Sequence, residues 1–251
     1  MLPVYQFITA YVGEKLGCST ELMVGSSFGQ FQAGQVDIGF ICGLPYVQLA
    51  RLRPPPVKLV AAPVLQGERY QGRPIYFSDV IVRRDSPFQR FADLRGCSWS
   101  YNDPDSHSGY NVTRYWLVQM GETNGFFSQV IQAGWHQKSI RMVIEGTVDA
   151  SAIDSQVLAI ELRENPAWAS QLRVIDSLGP SSIQPVVATR RLPENIRAKV
   201  RGVLLAIADD PSATTALGYG FVERFAPVTD STYDIREMLA AAERVEFMTL
   251  K

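Results

Sequence analysis

Two serines stand two residues apart in the segment 103–110, which reads Asp-Pro-Asp-Ser-His-Ser-Gly-Tyr. The segment follows a short strand predicted at 97–101 and opens a helix predicted to end near Met120. The first turn of a helix carries unpaired N–H groups and the positive end of the helix dipole, which together favour an anion. The hydroxyls of Ser106 and Ser108 add donors, and the segment holds no lysine or arginine. The pattern indicates an anion site built from dipoles and hydrogen bonds, with an ordinary helix N-cap as the alternative.

A second junction between a loop and a helix lies at His136, in the sequence Gly-Trp-His-Gln-Lys-Ser. One interpretation is a further donor for the same anion, with Trp135 lining the site. The alternative is a histidine whose hydrogen bonds are satisfied within the core or at the surface.

Asp154 and Gln156 follow a strand predicted at 148–153, and ligands of open α/β sheets lie at the carboxyl ends of strands. Both are candidate binding residues, although Asp154 equally fits the N-cap of the next helix. Tyr76 lies on an alternating strand predicted at 75–83, where it either faces the site or packs within the sheet.

The sequence Gly-Ser-Ser-Phe-Gly at 25–29 matches the Gly-x-Ser-x-Gly motif of serine hydrolases and follows a strand predicted at 21–24. Ser27 is therefore a candidate nucleophile, with His136 as base and Asp154 as the acid that orients it. Two features count against this reading. Only 24 residues precede the motif, which normally follows an internal strand of a large sheet. The usual chain order of Ser, Asp and His would also need an acid before the histidine.

The composition is that of a globular protein, with 46% hydrophobic and 20% charged residues. The formal net charge is −1, and basic residues form no patch interleaved with aromatics, so no nucleic-acid partner is expected. Three cysteines and two histidines fit no zinc pattern, and no metal or cofactor is predicted. No apolar run approaches the ~20 residues of a membrane span, so no membrane insertion of this chain is expected.

Strands and helices alternate along most of the chain, which predicts an α/β fold with parallel sheets covered by helices on both faces. Two such series are joined by strand-like crossings near 76–84 and 183–189. A chain that crosses twice forms two lobes, here 1–80 with 187–251 for lobe one and 81–186 for lobe two. The cleft between two such lobes is the expected ligand site.

Several segments, in this order and spacing, resemble the periplasmic solute-binding proteins of ABC transporters with the type II fold, and among them the phosphonate/phosphite-binding family. The resemblance covers nearly the whole chain and implies capture of a small oxyanion of the phosphonate, phosphite or phosphate type in the central cleft. The matching segments are Gly34-Gln-Val-Asp-Ile-Gly39, Gly43-Leu-Pro-Tyr46, Val82-Arg-Arg-Asp-Ser-Pro87, Phe91-Ala-Asp-Leu-Arg-Gly96, Asp103-Pro-Asp-Ser-His-Ser-Gly109, Gly134-Trp-His136 and Gly146-Thr-Val-Asp-Ala150.

The resemblance also implies roles for individual residues. Ser106, His107 and Ser108 would hold the oxyanion together with His136. His107 stands where the family often has threonine, and it would contribute either a ring donor or only its backbone N–H. Tyr76 falls at the position of a tyrosine on the family's hinge strand.

Family members that bind aminoalkylphosphonates carry a tyrosine where this chain has Phe28, and two carboxylates surround the ligand's ammonium group. The matching positions here look like Gln156 and Gln184. An ammonium group buried without carboxylates is poorly compensated, so a ligand without an amine is expected. Asp154 would be a partial substitute for the missing charge.

In function, the resemblance implies reversible capture without covalent chemistry, an ABC transporter permease as partner and a periplasmic or otherwise extracytoplasmic location. The chain begins within the helix that follows the family's first strand. That strand of lobe one is therefore expected to be missing, and the chain to be a fragment of a longer secreted precursor. Two other functions stay open, a serine hydrolase that uses Ser27 and a ligand-sensing domain on the same scaffold.

Overall fold

The structure is a computed structural model that describes residues 2–122 and 124–245. Within these residues no helix is both long and apolar enough to cross a membrane. The helices are α1 (Leu2–Leu16), α2 (Gly29–Ala33), α3 (Gly43–Ala50), α4 (Val112–Gln119), α5 (His136–Ile144), α6 (Ser155–Glu164), α7 (Pro166–Gln171), α8 (Glu194–Ala206), α9 (Thr214–Tyr219) and α10 (Arg236–Ala242). The strands are β1 (Ile38–Phe40), β2 (Val57–Leu65), β3 (Ile75–Arg83), β4 (Ser98–Tyr101), β5 (Gln129–Gln132), β6 (Ala150–Asp154), β7 (Leu172–Ser182), β8 (Val186–Thr189) and β9 (Val222–Ala226). A π-helical turn at His107–Asn111 precedes α4, and short 3₁₀ turns lie at Glu68–Tyr70, Phe91–Leu94, Ile207–Asp209, Pro211–Ala213 and Asp230–Tyr233.

The described residues pack into two compact units, each with its own sheet. The first unit comprises residues 2–75 and 182–234. The second comprises residues 76–122, 124–181 and 235–245.

The first unit contains a four-stranded sheet with the strand order β1-β8-β2-β9. All three neighbouring pairs are antiparallel, with Phe40 opposite Val186 and Val57 opposite Thr189. The expectation of a parallel sheet is therefore wrong for this unit. The reason is topological, because β8 joins the sheet only after the excursion through residues 76–181 and runs opposite to β1 and β2.

One local prediction in the first unit is also wrong, and one strand of its sheet was not predicted. Residues 21–24, predicted as a strand, pair with no other strand of the described chain, and Val24 is 85% exposed. Without a neighbour to bond its backbone, this apolar segment stays outside the sheet. Conversely, the sequence analysis assigned no strand to residues 222–226, yet β9 forms there and pairs with β2 at the sheet edge, and Phe225 is buried.

The second unit contains a five-stranded sheet with the order β5-β4-β6-β3-β7. Strands β5, β4 and β6 are parallel, as the alternation predicts, whereas β3 runs antiparallel to β6. Successive side chains of β3 point to opposite faces. Val80 and Val82 pack in a cluster with Trp99, while Ile81 packs in another with Ile140 of α5. Each face of the sheet therefore has its own hydrophobic core.

The last described segment, 235–245, belongs to the second unit and not to lobe one, where the sequence placed it. Val245 is buried in the cluster around Trp99, and Met238 of α10 packs against the same cluster. Arg114 of α4 donates from Nε to the carbonyl oxygen of Val245 at 2.8 Å. Helical periodicity identifies the apolar face of such a segment, but it does not tell which of two cores the face will cover.

Candidate functional site

Three parallel strands of the second unit end at the same edge of the sheet, and each leads into a helix. Strand β4 leads to the π-helical turn, β5 leads to α5 and β6 leads to α6. The registers place Tyr101 beside Gln132 and Ser100 beside Ser151. Three helix N-termini therefore lie at the carboxyl edge of the parallel strands, where ligands of such sheets usually bind.

A hydrogen bond joins two of these helix N-termini. Ser108 Oγ lies 3.0 Å from His136 Nε2, and both side chains are buried. Ser106 Oγ lies 3.4 Å from Ser108 Oγ and accepts a hydrogen bond from the N–H of Gly109 at 3.2 Å. The structure thus brings together Ser106, Ser108 and His136, three of the residues that the sequence proposed for one anion site.

Backbone donors at the same two helix N-termini have no acceptor within the described residues. They are the N–H groups of His107 and Ser108 in the π-helical turn and of His136 and Gln137 in α5. His107, Ser108 and His136 are buried residues and Gln137 is partly buried, and unpaired N–H groups in buried surroundings are costly and therefore rare in folded proteins. Four such donors on two adjoining helix ends are suited to an anion with several oxygens.

The His107 ring is bonded within its own helix. Its Nδ1 accepts a hydrogen bond from Nδ2 of Asn111 at 3.2 Å, since an amide nitrogen only donates. Burial lowers the pKa of His107 to about 4, so the ring is neutral at neutral pH and its proton is on Nε2. That nitrogen has no partner among the described residues. The backbone N–H of His107, in contrast, belongs to the open donors of the π-helical turn.

Burial also lowers the pKa of His136 to about 4, so this ring too is neutral at neutral pH. A neutral imidazole has one N–H donor and one acceptor nitrogen. The Ser108 hydroxyl engages Nε2, and Nδ1 has no partner in the described part of the chain. With two neutral histidines and no basic residue in 103–110, the site would stabilise an anion through dipoles and hydrogen bonds.

The third helix N-terminus is already occupied by a carboxylate. Asp154 is the N-cap of α6, and its Oδ1 accepts hydrogen bonds from the N–H groups of Gln156 at 2.8 Å and Val157 at 3.3 Å. The sequence left open whether Asp154 binds a ligand or caps the helix, and the structure shows the cap. Because the Asp154 carboxylate accepts hydrogen bonds from these N–H groups, they are not open to a ligand. In this respect α6 differs from the π-helical turn and α5, whose first N–H groups have no acceptor among the described residues.

The N-cap of α5 is Trp135, which makes no capping hydrogen bond through its side chain. Its carbonyl oxygen accepts hydrogen bonds from the N–H groups of Lys138 and Ser139, both at 3.2 Å. Its side chain is 67% exposed. The first N–H groups of α5 therefore remain uncapped beside an exposed aromatic ring.

The remaining predicted residues are divided between the two units. Phe28 and Gln184 lie in the first unit, Phe28 exposed at the start of α2 and Gln184 between β7 and β8. Tyr76 begins the second unit on β3 and is buried at 3% exposure. Gln156 is buried in the first turn of α6. Phe28 and Gln184 thus lie outside the unit that contains Ser108 and its partners.

The hydrolase reading of Ser27 is not supported by the structure. Ser27 follows residues 21–24, which form no strand, and its Oγ accepts a hydrogen bond from the N–H of Gly29 at 3.1 Å. No described carboxylate bonds to Nδ1 of His136, and Asp154 caps α6 instead. The mechanism needs both a strand-turn-helix elbow and an oriented triad, and neither is formed within the described residues.

Sequence reasoning did not single out Asn111 and Ser139 as site residues, two buried polar residues close in sequence to His107 and His136. Asn111 contacts His107 four residues earlier, a spacing that places two side chains on one face of a helix. Ser139 is fully buried one helical turn after His136, and its Oγ has no partner in the described chain. The spacing of three or four residues from each histidine was the signal that could have found them.

The sequence matches a family model, described as the periplasmic substrate-binding protein of phosphonate ABC transporters, over residues 1–233. The phosphonates-binding periplasmic protein of Escherichia coli (strain K12) is 24% identical to the chain over 151 residues. That match covers 58% of this chain and 44% of the E. coli protein, so the matched stretch is less than half of that relative.

Solved structures of phosphonate-binding proteins share the fold. PhnD1 from Prochlorococcus marinus (MIT 9301), solved in complex with methylphosphonate, is 20% identical with a TM-score of 0.81, over 96% of this chain and 92% of that one. A binding protein component of an ABC phosphonate transporter from Pseudomonas aeruginosa is 17% identical with a TM-score of 0.80, over 96% of this chain and 81% of that one. At these identities the likeness concerns the fold, which is the type II fold of periplasmic binding proteins. With the family model matched over 1–233, the chain belongs to the family of periplasmic substrate-binding proteins of phosphonate ABC transporters.

Proposed function

We propose that this protein captures a small oxyanion of the phosphonate, phosphite or phosphate type and delivers it to the permease of an ABC transporter. The observation that carries the proposal is the hydrogen bond between Ser108 and His136, which joins two helix N-termini with open N–H groups. Family membership supports the ligand class and an extracytoplasmic location.

The donors suit a head group with three oxygens. The backbone N–H groups of His107, Ser108, His136 and Gln137 and the hydroxyls at the same edge offer several hydrogen bonds to one anion. Hydrogen bonds to a charged group contribute roughly 1.5–3 kcal/mol each, about twice a neutral bond. Because the donors are neutral, recognition depends on how many oxygens reach them rather than on a cation.

The proposed function is reversible binding without catalysis. Ser108 and His136 have the spacing of a nucleophile and its base, and this pair is the arrangement that most favours an enzyme. However, a histidine whose pKa is lowered to about 4 is a weak base at neutral pH. Its Nδ1 also lacks the carboxylate that would orient the ring, among the described residues.

Calorimetric titration with methylphosphonate, phosphite, phosphate and acetate tests the proposal. At least one phosphorus oxyanion is expected to bind about tenfold more tightly than acetate, since acetate offers two oxygens instead of three and one lost charge-assisted bond corresponds to about a decade. Phosphorus NMR after a long incubation should recover the ligand unchanged. Equal weak binding of all four anions would contradict the proposed function, and conversion of the ligand would show an enzyme.

A further inference from the structure

The three helices that begin at the carboxyl edge of β4, β5 and β6 have different N-caps. Ser106 caps the π-helical turn with a hydroxyl and Asp154 caps α6 with a carboxylate, whereas Trp135 begins α5 without any side-chain acceptor. An N-cap side chain lies close to the first N–H groups of its helix, which is why its oxygen normally reaches them. Because an indole has no acceptor for them, the N–H groups of His136 and Gln137 stay open. A ligand that binds these N–H groups would lie beside the Trp135 ring.

The Trp135 side chain contributes little to the core of the protein. It is 67% exposed, whereas Trp99 is fully buried and Trp116 and Trp168 are partly buried. It belongs to neither hydrophobic cluster of the second unit, and it makes no hydrogen bond or ring contact with another described residue. Covering a large exposed aromatic ring with a ligand is favourable, because it removes apolar surface from water. The exposure of Trp135 beside open N–H donors therefore points to a ligand contact.

The backbone holds Trp135 next to the other half of the anion site. The N–H of Ala133 donates to the carbonyl oxygen of Tyr101, and the N–H of Gly134 donates to that of Asn102, both at 2.7 Å. These bonds tie the loop before α5 to the segment that leads from β4 to Ser106 and Ser108. Gly134 has a φ of +95°, a conformation that glycine adopts readily and that turns the chain into the helix.

We propose that the Trp135 indole packs against the organic substituent of the bound anion and makes this residue a determinant of specificity. In this arrangement the open N–H groups bind the oxygens of the head group, and the ring contacts the carbon group on the same ligand. The site then favours phosphonates with a bulky apolar substituent over methylphosphonate. The inference rests on the proposed function, because it assigns the substituent side of the same ligand.

Calorimetric titration with methylphosphonate and phenylphosphonate tests the inference on the wild type, Trp135→Ala and Trp135→Phe. The preference for phenylphosphonate is expected to fall about tenfold in Trp135→Ala, the loss that corresponds to uncovering part of an aromatic ring. Trp135→Phe should retain most of the preference because it keeps an aromatic face. Trp168→Ala is the matched control, since it removes a tryptophan that packs near Arg141 and in the cluster of Ile140, away from the helix N-termini.

The outcomes separate this inference from the proposed function. An unchanged ratio of the two affinities in Trp135→Ala, with both ligands still bound, overturns the role of Trp135 and leaves the proposed function standing. A wild type that binds neither methylphosphonate, phosphite nor phosphate overturns the proposed function and the inference with it.

A second variant tests the position of residue 135 without relying on the substituent. Trp135→Asp supplies the missing acceptor, so we expect it to raise the melting temperature and to abolish binding of both phosphonates. A variant with an unchanged melting temperature and unchanged binding would show that side chains at this position do not reach the open N–H groups, which also overturns the inference.

Discussion

Ser108 Oγ and His136 Nε2 lie 3.0 Å apart, although 28 residues separate them in the chain. The contact joins the helix that follows β4 to the helix that follows β5. Each of these helices brings two N–H groups without a described acceptor, so the hydrogen bond makes one group of donors from two helix ends. A substitution at Ser108 is therefore expected to affect binding more than folding.

We expect Ser108→Asp to abolish anion binding while the protein stays folded. The new carboxylate would lie at a helix N-terminus, where the dipole favours a negative charge, and it would repel an oxyanion from the same N–H groups. Calorimetric titration with methylphosphonate, beside a melting curve, measures both effects. Ser170→Asp adds the same charge to an exposed serine of α7 and should leave binding intact. Unchanged affinity in Ser108→Asp would exclude this residue from the site.

Mild acid is expected to destabilise the protein through its two buried histidines. Burial lowers the pKa of His107 and His136 from 6.5 to about 4. Between these values the unfolded chain binds more protons than the folded protein, so the free energy of unfolding decreases as the pH falls from about 6.5 toward about 4. The slope contributed by each histidine is at most about 1.4 kcal/mol per pH unit, falls to about half of this at about pH 6.5 and fades at higher pH.

Urea unfolding at several pH values between about 7 and about 5 measures this dependence. The variant His107→Gln removes one of the two titrating groups, so its free energy of unfolding should depend less steeply on pH than that of the wild type. If the free energy of unfolding depended on pH equally steeply in the wild type and in His107→Gln, burial would not be keeping His107 neutral.

Removal of the α6 cap should cost stability. Asp154→Ala is expected to lower the free energy of unfolding by about 1 kcal/mol, because the N–H groups of Gln156 and Val157 lose their acceptor. Asp154→Asn keeps an oxygen at this position and should lose much less. Equal losses in the two variants, measured by urea unfolding, would indicate that the charge of Asp154 matters more than its capping oxygen.

Ligands with an amino group are expected to bind at least about tenfold more weakly than the same anion without it. Gln156 and Gln184 stand at the positions predicted to surround an ammonium group, and neutral amides do not offset a buried positive charge. One lost charge-assisted hydrogen bond, roughly 1.5–3 kcal/mol, corresponds to a decade or more in affinity. Asp154 already accepts two hydrogen bonds from α6 through Oδ1, which limits it as a substitute.

Competition between aminoethylphosphonate and ethylphosphonate at neutral pH checks this expectation. The variant Gln156→Glu should reduce the difference in affinity between the two ligands, because it places a carboxylate at one of the two positions predicted to surround the ammonium group. A wild-type preference for the amine would show that another group, such as Asp154, supplies the counter-charge, and the assignment of Gln156 and Gln184 would then be wrong.

The neighbourhood of Ser106, Ser108 and His136 could be predicted because local pattern and sheet geometry agree there. Each residue follows a predicted strand, and parallel strands bring their carboxyl ends to one edge. The antiparallel pairing of β8 with β1 and β2 could not be predicted, since an apolar period marks a strand without naming its neighbours. The packing of Val245 against the second unit was missed for the same reason.

Features that depend on a single hydrogen bond could also not be predicted from the sequence. Asp154 fitted two roles in the sequence, and only its contacts with Gln156 and Val157 distinguish them. The sequence placed Trp135 at the site beside His136, but the extent of its exposure could not be inferred from residue type, because a tryptophan is more often part of a core. Such features follow from three-dimensional packing and not from residue type.

The π-helical turn at His107–Asn111 makes this region sensitive to chain length as well as to residue type. The N–H of Asn111 bonds to the carbonyl oxygen of Ser106, and that of Val112 bonds to His107, five residues back in each case. Deletion of one residue here would restore regular α-helical bonds and rotate the preceding side chains by about 100° relative to α4. Relatives with a one-residue deletion in this turn would have a more regular helix but no serine beside His136. Insertions and deletions at this point are therefore a better guide to loss of ligand binding than substitutions elsewhere in the helix.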